Sequence, residues 1–243
     1  MRGGSQIDGG GKPFIDLIDP ISGKSLWDKE FKKLKKYKTT NYIIEGNNII
    51  IYSDKKMFKI NIDTGNYIEF GKDLKFGDGE TPNILVVRDN IYQLVSAQNL
   101  MSVGRDGKPI FHTYLEAPKT SGLLKVASFA ATMTIAMAGS YATQGIITTP
   151  TTSYSIMPMV YFDTPQYGNS RDAREYLVVL TNIEPPGHEG GQKGPGLVKI
   201  NKNTGEPVSG IVLGDKTPFY TVDSNVSCIF YLKDDHTLVC SKF

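Results

Sequence analysis

The sequence predicts an all-β fold: a β-propeller of four-stranded antiparallel blades with one inserted apolar α-helix. Three observations predict it. A strand–turn–strand unit recurs along the chain, the glycines of its turns keep a constant spacing, and the recurrence breaks at an Ala- and Met-rich run over 122–142. In the clearest copy, apolar Phe58, Ile60 and Ile62 alternate with Lys59, Asn61 and Asp63, Asp63-Thr64-Gly65 makes a turn, and Tyr67, Ile68 and Phe70 follow. Alternation of period two on both sides of a tight turn is the mark of a hairpin, and the glycine supplies the positive φ the turn needs.

Similar turns lie at 19–27, 104–111 and 201–208. Forty-two residues separate Gly23 from Gly65 and another 42 separate Gly65 from Gly107, whereas Gly107 to Gly205 is 98, which is 14 more than two periods. Several short strands per repeat of about 40 to 50 residues predict propeller blades, because one blade must stack on its neighbours to bury both faces. About five repeats are expected, forming either a ring or part of a larger one.

In chain order, residues 1–12 read as a flexible, Gly-rich segment, and 13–243 as the propeller domain with a helical insertion at about 119–153. The start has no apolar run of the secretory type. That leaves an intracellular protein or a chain that begins after a removed segment, and the second is the expectation. Phe14 to Asp19 and Ser25 to Phe31 supply only the last two strands of a first blade. Lys29, Lys32, Lys33, Lys35, Lys36 and Lys38, diluted by Asp28 and Glu30, read as a solvated connection or as guards of a strand edge. A complete blade follows in Tyr42 to Glu45, Ile49 to Ser53, Met57 to Ile62 and Tyr67 to Phe70. The next comprises Ile84 to Val87, Ile91 to Ser96, Asn99 to Val103 and Pro109 to Tyr114.

The run 122–142 lacks proline and follows Thr120-Ser121, which can cap a helix. Val126, Phe129, Met133, Met137 and Tyr141 recur at steps of three or four and line one face. Three readings stay open for it: packing on the propeller rim, docking on a partner protein or membrane surface, and spanning a bilayer. Beyond it, Ser155 to Phe162, Glu175 to Asn182, Leu197 to Asn201 and Val208 to Leu213 predict another blade, with 163–173 as a polar loop. The Gly- and Pro-rich loop 184–196 is a further candidate contact surface, through His188 and Glu189. These two are adjacent rather than spaced as helical metal ligands, and His112, His188 and His236 fall in different repeats, so no metal site is expected. Phe219 to Val222, Val226 to Lys233 and Thr237 to Phe243 supply the last strands, which either close the ring with the first ones or end an arc.

Cys228 and Cys240 fall on the two strands of the final hairpin, and a turn centred on residue 234 would set them opposite one another. A disulfide and a pair of buried thiols are both compatible with that placement. A formal charge of +2 gives no net electrostatic case for nucleic acid. No phosphate loop, dinucleotide fingerprint or nucleophile elbow occurs.

The segment Leu17-Ile18-Asp19-Pro20-Ile21-Ser22-Gly23-Lys24-Ser25-Leu26-Trp27 resembles the blade repeat of the PQQ-like, or quinoprotein-alcohol-dehydrogenase-like, propellers: an alternating strand, an Asp-X-X-Thr-Gly-Lys turn and an apolar pair ending in Trp. The resemblance implies blades docked through that tryptophan; here Trp27 is the single one in the chain. It also implies, for the dehydrogenases, adjacent half-cystines, a calcium-binding Glu/Asn/Asp set and a stacking tryptophan at the cofactor, an arrangement that two cysteines twelve apart and one tryptophan do not present. No cofactor is therefore expected. The expectation is a non-catalytic binding or assembly scaffold of the periplasm or cell envelope with a protein partner. The rival readings are a propeller hydrolase or lyase acting on glycans, and a membrane-attached component using the 122–142 helix.

Overall fold

In a computed structural model the chain is described over residues 13–118, 166–167, 170–184, 193–223, 225–234 and 236–242. It divides into two compact units, Met1–Tyr114 and Leu115–Phe243. The secondary structure described is strand, apart from one short 3-10 turn at Gly77–Gly79. The expected helix over 122–142 and the expected strand Ser155 to Phe162 lie outside the described residues, as do His188 and Glu189.

In the first unit β1 (Thr39–Glu45), β2 (Asn48–Ser53), β3 (Lys56–Asn61) and β4 (Tyr67–Gly71) form an antiparallel sheet in chain order. A second sheet of the same kind comprises β5 (Ile84–Arg88), β6 (Ile91–Val95), β7 (Asn99–Val103) and β8 (Pro109–Tyr114). These are the two complete blades the periodicity predicts. Ahead of them, bridges Ile15 to Phe31 and Ile18 to Ser25 mark a two-stranded half blade.

Successive residues of a strand point to opposite faces, and here both faces of β2 and β3 of the first complete blade are buried. Ile50, Tyr52 and Met57 pack with Leu85, Tyr92, Leu94, Met101 and Val103 of the following blade. Ile49, Ile51, Phe58 and Ile60 pack with Ile15, Trp27 and Phe31 of the half blade. Such face-to-face stacking of four-stranded meanders is propeller-type packing. No closed ring is found among the described residues.

The outer turns carry the docking. Trp27 Nε1 donates to the Ile62 carbonyl at 2.6 Å, and its ring lies so close to Gly65 that a β-carbon there would sit 2.7 Å from Cδ2. At the following turn the same approach recurs without a tryptophan: a β-carbon on Gly107 would fall 1.7 Å from the Phe70 carbonyl oxygen. Both glycines have positive φ, +70° and +83°.

Three of these turns share one hydrogen-bond pattern. Asp19, Asn61 and Asn201 each accept at the carbonyl from the turn glycine, Gly23, Gly65 or Gly205, and donate their own N–H to the residue after it. Their side-chain oxygens accept from the amides of Ile21, Asp63 and Asn203. The side chain that organises the 61–66 turn is thus Asn61, four residues before the glycine, not the Asp63 that precedes it by two. The turn at Gly104–Lys108 is one residue shorter.

In the second unit β9 (Gln166–Tyr167), β10 (Ser170–Ala173), β11 (Tyr176–Ile183), β12 (Gly194–Asn201) and β13 (Pro207–Val212) make one sheet, and β14 (Tyr220–Asp223), β15 (Cys228–Asp234) and β16 (Thr237–Lys242) make another. Val178, Leu180, Leu197, Leu213, Tyr220, Val222 and Ile229 form the core between them. The expected polar loop 163–173 is corrected here: Ser170–Ala173 is a strand, paired residue by residue with Tyr176 to Val179. Its polar side chains have partners that a hydropathy pattern does not reveal. The Arg171 guanidinium lies 4.7 Å from the centre of the Tyr220 ring, and Asp172 Oδ2 accepts from Lys202 Nζ at 2.5 Å.

Candidate functional site

The half blade leaves one region of the first unit uncovered. Its two strands reach the outer part of the next sheet, where Phe31 meets Phe58 and Tyr67 edge-on, with ring centres 5.2 and 5.0 Å apart. Nothing comparable covers the inner strand β1 among the described residues. Tyr42 stands opposite Ile51 and Ile44 opposite Ile49, so both side chains lie on the face that carries the Trp27–Phe31 core. Ile49 and Ile51 are buried; Tyr42 and Ile44 are 44% and 58% exposed. Across the sheet, Ile43 packs into the core shared with the following blade.

The other edge of the half blade has no paired strand among the described residues. Ile15 exchanges both backbone hydrogen bonds with Phe31, the Leu17 carbonyl accepts from Leu26, and Asp19 N–H donates to the Lys24 carbonyl. Asp16 and Ile18 therefore direct their peptide groups to the other side, where no strand pairs with them among the described residues. Two further strands on that edge would complete the blade and cover Tyr42 and Ile44. The Gly23 turn is open as well: a β-carbon there would meet nothing within 4 Å, unlike one at Gly65 or Gly107.

The inner strand β1 is tied to the following blade at both ends. Asn41 reaches from β1 to β5, its Oδ1 accepting from Leu85 N–H at 2.7 Å and its Nδ2 donating to the Leu85 carbonyl at 2.9 Å. At the far end of β1, Glu45 accepts from the Tyr92 hydroxyl at 2.8 Å and pairs with the Arg105 guanidinium. That guanidinium lies 4.4 Å from the Tyr92 ring centre and donates from Nε to the Asn90 carbonyl. Burial alone would raise the Glu45 pKa, but the hydrogen bonds from Tyr92 and Arg105 and the guanidinium charge hold it below its ordinary value.

A second polar cluster, at the β6–β7 turn, is structural. Glu80 Oε2 accepts from Ser96 Oγ, Gln98 N–H and Asn99 Nδ2 at 2.5, 3.1 and 2.8 Å. With Asn99 Nδ2 so engaged, its Oδ1 accepts from Gly77 N–H at 2.8 Å and from His112 Nε2 at 2.9 Å. The His112 ring packs on Phe76, and burial lowers its pKa. His112 is thus spent within this network. The lysine-rich segment 29–38 has carboxylate partners in Glu30 for Lys32 and Asp54 for Lys38. The cleft of about 400 Å³ beside Trp27 is lined by Asp28 and Glu30 as well as Lys29 and Lys32, which gives it no single-sign field.

Val126, Phe129, Met133, Met137, Tyr141, His188 and Glu189, the contact residues the sequence points to, lie outside the described residues. Tyr42 and Ile44 carry no such signal in the sequence: they read as one more alternating strand, and their exposure appears only with the packing of the neighbouring strands. Among the described residues no group of three or more His, Cys, Asp or Glu could hold a metal, and no helix is long and apolar enough to cross a membrane.

No protein-family model matches the chain and no curated protein matches it. Among solved structures, BamB from Moraxella catarrhalis aligns at 10% identity with a TM-score of 0.32, covering 93% of this chain and 70% of that one. The WD40 domain of SCAP from fission yeast aligns at 11% identity with a TM-score of 0.35, covering 92% of this chain and 46% of that one. The blade description rests on strand order, stacking and glycine docking rather than on these similarities.

Proposed function

We propose that this protein is a PQQ-like β-propeller scaffold that binds a protein partner, and that the incomplete first blade is where the partner docks. The observation that carries the proposal is the coincidence of a strand edge at Asp16 and Ile18 that no described strand pairs with and the exposed apolar pair Tyr42 and Ile44 on the adjacent face. A sheet edge offers backbone hydrogen bonds to an incoming strand, and the adjacent apolar face selects its side chains. The partner is a protein that donates extended chain with apolar residues at alternate positions. The resemblance of 17–27 to the PQQ-like blade repeat, which propellers of envelope assembly share with the dehydrogenases, is what suggests a periplasmic or envelope setting. On the same reading Val126, Phe129, Met133, Met137 and Tyr141, with His188 and Glu189, supply further contacts to the partner or a membrane surface.

Site-specific photo-crosslinking tests this. A photoreactive residue at position 42 or 44 should give one discrete protein adduct in cells, and the adduct from position 44 should vanish with Tyr42→Asp. The same probe at Ile21, which is 96% exposed on the turn, should give none. Absence of an adduct at 42 and 44, or equal labelling at all three positions, would contradict the proposal.

A further inference from the structure

We infer that Cys228 and Cys240 are a redox pair that closes to an intramolecular cross-strand disulfide by exchange with a low-molecular-weight disulfide. The sequence places them opposite each other; the structure places them diagonally. Cys228 faces Lys242 and Cys240 faces Phe230, because the ladder from Cys228 to Leu232 is centred on residue 235 rather than 234. An offset of two keeps both side chains on one face of the hairpin. Their Sγ atoms are 2.8 Å apart and both are free thiols. A disulfide needs about 2.05 Å, so closure asks for less than an ångström of movement from β16, whose outer edge pairs with no strand among the described residues.

The two sulfurs differ in access, which orders the chemistry. Cys240 is exposed and Cys228 is buried. The hydrogen bond with Cys240, then burial, raises the Cys228 pKa, so the exposed sulfur is the one that meets the oxidant first. With oxidised glutathione as oxidant, the Cys240 thiolate attacks one glutathione sulfur and releases one glutathione thiolate, leaving a mixed disulfide on Cys240. Cys228, losing its proton, attacks Cys240 Sγ and expels the second glutathione. Two protein thiols are oxidised, one glutathione disulfide is reduced to two thiols, and the two protons end on the released glutathiones. The bond fixes the last strand to β15 and so ties down the end of the second unit.

The test uses the full chain in glutathione buffers from fully reduced to fully oxidised, quenched with N-ethylmaleimide and read by intact mass. The expected result is complete alkylation of both cysteines under reduction. Under oxidation, an unalkylated monomer should appear, lighter than the reduced, unalkylated chain by two hydrogens. Cys228→Ser should instead trap glutathione stably on Cys240, and Cys240→Ser should leave Cys228 mostly unmodified. Circular dichroism of Cys228→Ser/Cys240→Ser, expected to match the parent, keeps a folding failure from passing as a result. Two alkylated thiols in the fully oxidised buffer, glutathione on both cysteines of the parent, or a disulfide-linked dimer would each overturn the inference.

Discussion

Gly65 is a position where the next atom of side chain has no room. Its φ of +70° already disfavours any L-residue, and the added carbon of alanine would meet the Trp27 ring at 2.7 Å. Gly65→Ala should therefore cost more than the roughly 1 kcal/mol typical of a positive-φ glycine alone, whereas Gly23→Ala, with the same φ but open space around it, should cost only that conformational part. Comparing the two by urea denaturation separates backbone strain from docking, and equal losses would refute the docking role of Trp27. Glu45 makes stability depend on pH through a single side chain. Its folded pKa lies below the ordinary value of 4.5, so the stability it contributes is present in full above about 4.5 and is lost as pH falls through the lower folded value. Glu45→Gln should flatten the acid limb of the stability profile between those two values, measured by thermal melts. The glycine spacing that reveals these turns was legible because each glycine answers a local backbone need. The Glu45–Tyr92–Arg105 clasp was not, since its members are up to 60 positions apart and each reads alone as a surface residue.

At the scale of elements, strands of one blade announce themselves by alternation, and the eight strands of the first unit fall where the pattern put them. The strand Ser170–Ala173 did not, because its outward signal is polar and its pairing depends on partners elsewhere in the unit. Lys202, at the position that Ile62 occupies in the 61–66 turn, is the clearest of these. Its side chain is 8% exposed, and its ammonium donates to Asp172 Oδ2 and, at 2.6 Å, to the Arg174 carbonyl. It latches the 201–206 turn to the β10–β11 hairpin. Asp172→Ala leaves the lysine charge buried without its carboxylate and should destabilise the unit by about 3 kcal/mol, while Lys202→Met, which removes the charge and keeps the chain's bulk, should cost clearly less. Chemical denaturation of both variants checks the order, and the reverse order would mean the carboxylate is the ill-placed partner. The half blade shows the limit of the pattern from the other side. Two strands at 13–31 were readable, but the consequence, an inner strand β1 with Tyr42 and Ile44 left bare, appears only when the neighbouring sheet is seen to be four strands wide.

At the scale of the whole molecule, antiparallel sheets stack within each unit, and in the first unit the sheet at 13–31 has two strands among the described residues; a partner is proposed to add to its edge. Hydrogen exchange of the isolated chain, resolved by residue across 13–31, tests that claim most directly. Slow exchange is expected at Ile15, Leu26 and Phe31, whose N–H groups are bonded within the half blade, and fast exchange at Ile18, whose N–H group faces the edge that no described strand pairs with. Slow exchange at Ile18 in the chain by itself would mean that the edge is already filled, and would contradict a docking site there.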